Sequence, residues 1–288
     1  MQKMSEIRRH IGAVAETRKI TNAMHLVATA RAKKIIPRME YNEIFLRRVQ
    51  MLMKNLLLSP HLADHPYLAH RPHRRHSYIV ISSDKGMAGS YNTSLLHTAW
   101  EEIGGRFAQG EGLHLTSVGM MGDSFFRRHG ITPDISLGGL TQDPSLHTAR
   151  KIARDVTERY NSGETEQVFL IYTPFHNGAA AAPVVHRILP IRISDFSDVE
   201  SQEAPHEIVY HPSEHEAFDE LVPQFLVSFI FGALMHAYAS EHSARMNAMR
   251  QATRNADEML AKLRLEYNLA RQAAVTQEIA EISSALFM

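Results

Sequence analysis

Cysteine is absent from the 288 residues, and that one absence removes disulfides, thiolate metal sites and cysteine nucleophiles together. Net charge is absent too. Lys and Arg number 31 against 31 Asp and Glu, so bulk electrostatics favour neither a nucleic-acid binder nor an acidic scaffold. No apolar run approaches the ~20 residues of a membrane-spanning helix. The longest, Phe225–Met235, is interrupted by Ser228 and Gly232 and reads as buried helix. The N-terminus lacks the charged-then-apolar signature of a secretory signal, so membrane association is expected only through a partner. What remains is a globular composition, 44% hydrophobic, with length for one large or two ordinary domains.

Glycine and proline are nearly missing from both ends, and there the pattern is helical. Residues 1–59 hold one Gly and one Pro. Their apolar positions (Ile7, Ile11, Val14, Ile20, Met24, Val27, Ile35, Met39, Leu46, Val49, Met53 and Leu56) step by threes and fours, with gaps, as one stripe of a very long helix. Pro37 is expected to kink it or to need local repair. Residues 213–288 contain no Pro beyond Pro223 and no Gly beyond Gly232, and Ser213 with Glu216 forms a capping-box pattern at the start. A seam with a period near 3.5 runs from Phe225 through Met246, Met249, Thr253, Ala256, Leu260, Leu263, Tyr267 and Ala270 to Ala274. It is rich in small residues and poor in Leu and Ile, so it suits close packing better than a self-associating zipper.

Between the ends, residues 76–193 alternate β-rich runs (Tyr78–Ser82, Leu113–Val118, Val168–Tyr172, Val184–Leu189) with helical stretches near Ser94–Phe107, Ser124–His129 and Ser145–Tyr160. That alternation predicts an α/β domain with a largely parallel sheet. The fold class expected is therefore α/β: a long antiparallel α-helical coiled coil from the terminal segments, with an inserted Rossmann-like α/β domain. Charge favours the pairing. Basic residues outnumber acids twelve to four through residue 58, and the C-terminal segment leans acidic.

Four stretches carry a family resemblance. Arg18-Lys19-Ile20-Thr21-Asn22-Ala23-Met24-His25-Leu26-Val27-Ala28, Ser83-Asp84-Lys85-Gly86-Met87-Ala88-Gly89-Ser90-Tyr91-Asn92, the run Ala239–Met249 and the run Tyr267–Ile279 resemble, in order and spacing, signature stretches of the gamma subunits of F-type ATP synthases, bacterial type. The last is long and specific; the second alone is weak. Together they cover essentially the whole chain. Lys85, Ala88 and Ser90 depart from the family's usual Arg, Cys and Gly, and His211 stands where a Glu is usual.

The resemblance implies the central rotor stalk of a proton-translocating F-type ATP synthase, coupling ion-driven rotation to ATP synthesis or hydrolysis in the catalytic subunits. It implies a non-catalytic chain with no cofactor, peripheral on the cytoplasmic face of the bacterial plasma membrane. Its partners are the alpha and beta subunits, the epsilon subunit and the membrane c-ring. By motif position, Met24 faces Arg245 and the cluster of Arg271, Thr276 and Glu278. Arg271 and Gln272 catch a loop of a catalytic subunit, and Tyr210 lies near the foot's contact with the ring.

Other readings of the residues are blander or weaker. Gly86-Met87-Ala88-Gly89 lacks the ending of a Walker loop and the third Gly of a dinucleotide fingerprint, so a tight strand-to-helix turn is the better reading. His61, His65, His70, His73 and His76 form a cluster that reads as a solvated linker rather than a metal site, because Pro60 and Pro66 interrupt helical spacing. Ser82, Ser83 and Asp84 have no nucleophile-elbow pattern around them. The basic N-terminal helix lacks the aromatic interleaving of a nucleic-acid surface. The alternative kept open is a free-standing coiled-coil adaptor with a Rossmann-like head that binds a nucleotide or a protein.

Overall fold

The computed structural model of the chain describes residues 2–69, 75–110, 112–138, 143–176, 178–199 and 210–286. Two helices dominate: α1 (Gln2–Leu57) and α5 (Glu214–Leu286). Between them lie β1 (Arg75–Ile81), α2 (Tyr91–Ala108), β2 (Gly112–Val118), α3 (Met120–Arg128), β3 (Ile135–Leu137), α4 (Leu146–Asn161), β4 (Gln167–Tyr172), a two-strand hairpin β5 (Phe175–His176) and β6 (Ala179–Ala180), and β7 (Val184–Leu189). The chain divides into two compact units. One joins the two chain ends, through Ala30 and from Arg245; the other is Arg31–Ala244.

The first unit is an antiparallel helix pair. Arg18 pairs with Asp257, the Thr21 and Thr253 hydroxyls meet at 2.8 Å, and His25 Nδ1 lies 3.1 Å from the Met246 carbonyl oxygen, so numbers fall along α5 as they rise along α1. A small core of Val14, Ala256, Leu260 and Leu263 closes the seam, with Ile7 and Ile11 against it. The inward row of α1 differs from the expected stripe in its middle. Ile20 and Val27 are 59% and 53% exposed, and Thr21 and Ala28 take the buried positions. The reason is the seam itself, which admits small side chains and a Thr–Thr hydrogen bond where bulkier residues would hold the helices apart.

The second unit is a three-layer α/β structure. The sheet order is β3-β2-β1-β4-β7, parallel except for the β4–β7 pair. Strand alternation sorts the core into two. Tyr78, Val80, Leu115 and Ile171 face α2 and α3 through Leu95, Ile103 and Phe126. Ile79, Ile81, Val168 and Leu170 face the other way, into a larger cluster with α4 (Ile152, Val156, Tyr160), α1 (Val49, Met53, Leu56) and α5 (Phe218, Val222, Leu226, Ile230). Part of α5 is long and apolar enough by composition to cross a membrane, contrary to the run-length expectation; Leu226, Ile230, Ala233 and Leu234 bury that apolar surface in this core. α1 continues through Pro37, which sits at an exposed position where water can satisfy the carbonyl that the ring leaves unbonded. Ser213 caps α5: its hydroxyl accepts the Glu216 amide at 3.2 Å and donates to the Glu216 carboxylate at 3.3 Å.

Candidate functional site

In an open α/β sheet of this order, ligands bind at the carboxyl ends of the strands where the connections switch faces, here between β1 and β4. That crevice is filled by α5. The Tyr91 hydroxyl donates to the Ala237 carbonyl at 3.2 Å, the Ser240 hydroxyl to the Pro174 carbonyl at 2.8 Å, and the Phe175 amide to His236 Nδ1 at 3.2 Å. Tyr91 is buried there, and burial, with Glu241 nearby, pushes its pKa up. Burial pulls the His236 pKa below the ordinary histidine value, with His176 adding to the effect.

The loop after β1 is a locked turn, as its residues suggested. Asn92 Oδ1 accepts the Ser83 amide at 3.1 Å, Asn92 Nδ2 donates to the Ser83 hydroxyl at 2.7 Å, and that hydroxyl donates to the Lys85 carbonyl at 2.8 Å. Nor is the first turn of α3 open to a phosphate. The Met120 amide goes to Asp84 Oδ1, the Met121 amide to the Ser83 carbonyl, the Gly122 amide to Ser82 Oγ and the Asp123 amide to the Gly119 carbonyl. Gly119 makes the approach possible. Its φ is +93°, and a Cβ there would lie 2.3 Å from the Ser82 carbonyl oxygen.

The residues singled out by resemblance fall in three places. Met24, half-buried, and Arg245, buried, lie at one level of the helix pair, beside the His25–Met246 contact. Arg271, Gln272, Thr276 and Glu278 are all exposed on α5, and the Thr276 hydroxyl donates back to the Gln272 carbonyl at 2.9 Å. They begin 26 residues beyond Arg245, roughly 39 Å along a helix at about 1.5 Å per residue. The structure therefore sets Met24 and Arg245 near one level of the helix pair and keeps the 271–278 group apart from Met24. Tyr210 is half-buried against the larger core cluster, and burial followed by the neighbouring Glu214 raises its pKa.

The histidine-rich linker is not uniformly solvated. His61 is exposed, whereas His65 and His76 are buried; His70 and His73 lie outside the described residues. Leu62 and Tyr67 anchor this stretch in the core and draw His65 in with them. His65, His215 and Asp219 could bring one ligand atom each to within 4.8 Å of one another. The Tyr67 amide donates to His65 Nδ1 at 3.3 Å, which leaves the ring proton on Nε2, facing Asp219 Oδ1 at 3.3 Å. That geometry is an imidazole–carboxylate contact. A second face, which the apolar stripe does not include, lies on α1: Lys34, Arg38, Tyr41, Phe45, Arg48 and Leu52, all exposed at steps of four and three. The same periodicity that located the inward row would have found it.

Taken with the filled crevice, these features define a protein whose α/β domain is built around a long helix rather than around a ligand. Comparison with known proteins gives the family. The ATP synthase family model matches residues 3–286. The ATP synthase gamma chain of Heliobacterium modesticaldum is 35% identical over 286 residues, covering 98% of this chain and 97% of that one. The gamma chain of Exiguobacterium sibiricum is 34% identical over 284 residues, covering 99% and 98%. Among solved structures, a chain of the central stalk and c-ring of Tetrahymena thermophila mitochondrial ATP synthase aligns with a TM-score of 0.63 at 26% identity, over 81% of this chain and 99% of that one. A chain of the Euglena gracilis mitochondrial ATP synthase rotor shares the fold, with a TM-score of 0.66 at 14% identity over 95% and 99%. This chain belongs to the ATP synthase gamma-chain family.

Proposed function

We propose that this chain is the central rotor stalk of an F-type ATP synthase, a non-catalytic subunit that couples proton-driven rotation to ATP synthesis or hydrolysis. The observation that carries the reading is the end-to-end match: a gamma chain 35% identical over 98% of this chain and 97% of its own length leaves no domain of either unaccounted for. The working parts are the N-terminal helix 1–59, the foot 76–193 and the C-terminal helix 213–288. Alpha and beta subunits surround the helix pair; the epsilon subunit and the c-ring meet the foot. The assembly sits on the cytoplasmic face of a bacterial plasma membrane, which this chain touches only through those partners.

The physical mechanism is asymmetry. A pair of unlike helices presents different side chains in each direction, so each catalytic subunit meets a different surface as the pair turns, and its conformational populations shift accordingly. Arg271 and Gln272 suit a catch on a partner loop, because both are exposed and a guanidinium makes charge-assisted bonds to carboxylate or carbonyl oxygen. Thr276, tied to its own helix, and Glu278 flank that catch. Met24 and Arg245 act at the second level of contact, and Tyr210 at the ring.

Gentle purification of the tagged chain from its own membranes tests the reading. Recovery with a ring of catalytic and non-catalytic nucleotide-binding subunits and with ATPase activity supports it. Recovery of the chain alone from the soluble fraction, carrying a nucleotide, would overturn it. Within the assembled enzyme, replacing Arg271→Ala together with Gln272→Ala is expected to remove about 1.5–3 kcal/mol of contact. That corresponds to roughly a tenfold to hundredfold loss of coupled proton pumping with an unchanged circular dichroism spectrum.

A further inference from the structure

A groove of about 640 Å³ runs along the second unit between α1 and α5, floored by Asn42 and Ser228 and walled by Tyr41, Phe45, Val227 and Phe231, with Leu146 of α4 at one end. Asn42 Nδ2 donates to the Ser228 carbonyl at 3.1 Å and fixes the floor. Tyr41 is 76% and Phe45 47% exposed, which is a large apolar surface for a helix to leave in water.

The walls repeat with a definite period. On α1 the outward row is Lys34, Arg38, Tyr41, Phe45, Arg48 and Leu52, steps of four, three, four, three and four, and every member is exposed. On α5 the facing row is Gln224, Val227 and Phe231, steps of three and four. Alternating threes and fours on both walls are the seam of a further helix, whose side chains would seat between them. The α1 row spans 18 residues, about 27 Å or five turns.

Charge selects the occupant. The groove lining contains Arg38 and Arg150 and no acid, and Lys34 and Arg48 extend the row at both ends. Arg38 is engaged by Asp143 at 2.9 Å and by the Pro144 carbonyl at 3.0 Å. Lys34, Arg48 and Arg150 make no ion pair among the described residues. The acids of this stretch of α1 lie off the row: Glu43 faces His236 at 3.4 Å on another side, and Glu40 is turned about 100° round the helix from Tyr41. On α5 the one acid in register, Glu220, precedes Gln224 by a full turn.

We infer that this groove docks an acidic amphipathic helix of about five turns from a partner subunit, with apolar residues at alternating three- and four-residue steps and carboxylates flanking them. The inference rests on the proposed function for the source of that subunit. Helix-in-groove docking places apolar anchors between Tyr41, Phe45 and Phe231, and the flanking carboxylates meet Lys34, Arg48 and Arg150.

The test is photocrosslinking in the purified, assembled complex with p-benzoylphenylalanine at Tyr41, an exposed site whose replacement spares the core. The expected result is a light-dependent adduct whose partner peptide, mapped by mass spectrometry, is a helical segment rich in Asp and Glu. The same probe at Arg47, exposed and two residues from Phe45, which turns it to the other side of α1, is expected not to label that segment. Lys34→Glu with Arg48→Glu is expected to cut the Tyr41 adduct by about tenfold, because like charges then face each other. An adduct with a basic or non-helical segment, with lipid, or with a second copy of this chain overturns the inference, and so does no adduct in an intact complex. A chain that emerges without nucleotide-binding partners sinks the functional reading instead, so the two failures are distinguishable.

Discussion

Asn92 accepts the buried Ser83 amide and donates to the Ser83 hydroxyl, so truncating it strands the amide, while the hydroxyl keeps its bond to the Lys85 carbonyl. A stranded group costs about 1–3 kcal/mol. Asn92→Ala is therefore expected to lower the unfolding midpoint of the α/β unit by several degrees, at about 2–4 °C per kcal/mol, and scanning calorimetry reads this directly. By contrast, the Arg18–Asp257 pair is half-exposed on both sides. A double-mutant cycle on it is expected to return less than about 1 kcal/mol. His236 gives a pH dependence. Its folded pKa lies below the unfolded value of about 6.5, so the unfolded chain binds more protons under acid conditions. Its contribution is full above that pH and is lost as pH falls toward the folded pKa, with a slope of up to about 1.4 kcal/mol per pH unit. His236→Gln keeps an acceptor for the Phe175 amide and is expected to flatten the acid limb of a midpoint-against-pH series. An unaltered limb would show that His236 does not contribute to the loss of stability in acid. At this scale the sequence was a partial guide. Motif order located Arg271, Gln272, Thr276 and Glu278 on α5 by resemblance, and the expected helix over 213–288 already implied that they stand about 39 Å along it from Arg245. No one-dimensional pattern could bury His65, which follows Tyr67 and Leu62 into the core.

The helices were legible as elements because Gly and Pro are scarce in them and apolar steps persist. The seam on α5 was legible too: Met249, Ala256, Leu260 and Leu263 are all buried where the 3.5-residue period put them. On α1 the buried row lies one residue beyond Ile20 and Val27, because a seam built from Thr21 and Ala28 carries no hydrophobic periodicity. β1, β2, β4 and β7 announced themselves through β-branched and aromatic runs. β3 did not, being three residues with a Ser at its centre, and the reversed direction of β7 follows from the β5–β6 hairpin, whose two-residue strands carry no periodicity. Leu260→Ala in the first unit is expected to cost about 2–5 kcal/mol. Hydrogen exchange should localise the loss to the paired stretches of α1 and α5 in that unit while β1 and β4 keep their protection. Equal loosening of the sheet would mean that the two units melt as one.

For the molecule as a whole, the sheet order and the long terminal helix together decide what the α/β domain is for. A strand-edge crevice between β1 and β4 ordinarily admits a nucleotide, and α5 occupies it here. That occupancy has a mechanical corollary. The helix is gripped at His236, Ala237 and Ser240 by groups on different loops, and the side chains around those bonds are close-packed. For α5 to rotate about its own axis within the domain, all of those bonds would have to break together and the apolar contacts of Phe218, Val222, Leu226 and Ile230 would have to shear. The joint therefore behaves like a splined shaft in its hub. Torque applied to the domain enters the helix without slip, and any elastic wind-up must be stored elsewhere along its length.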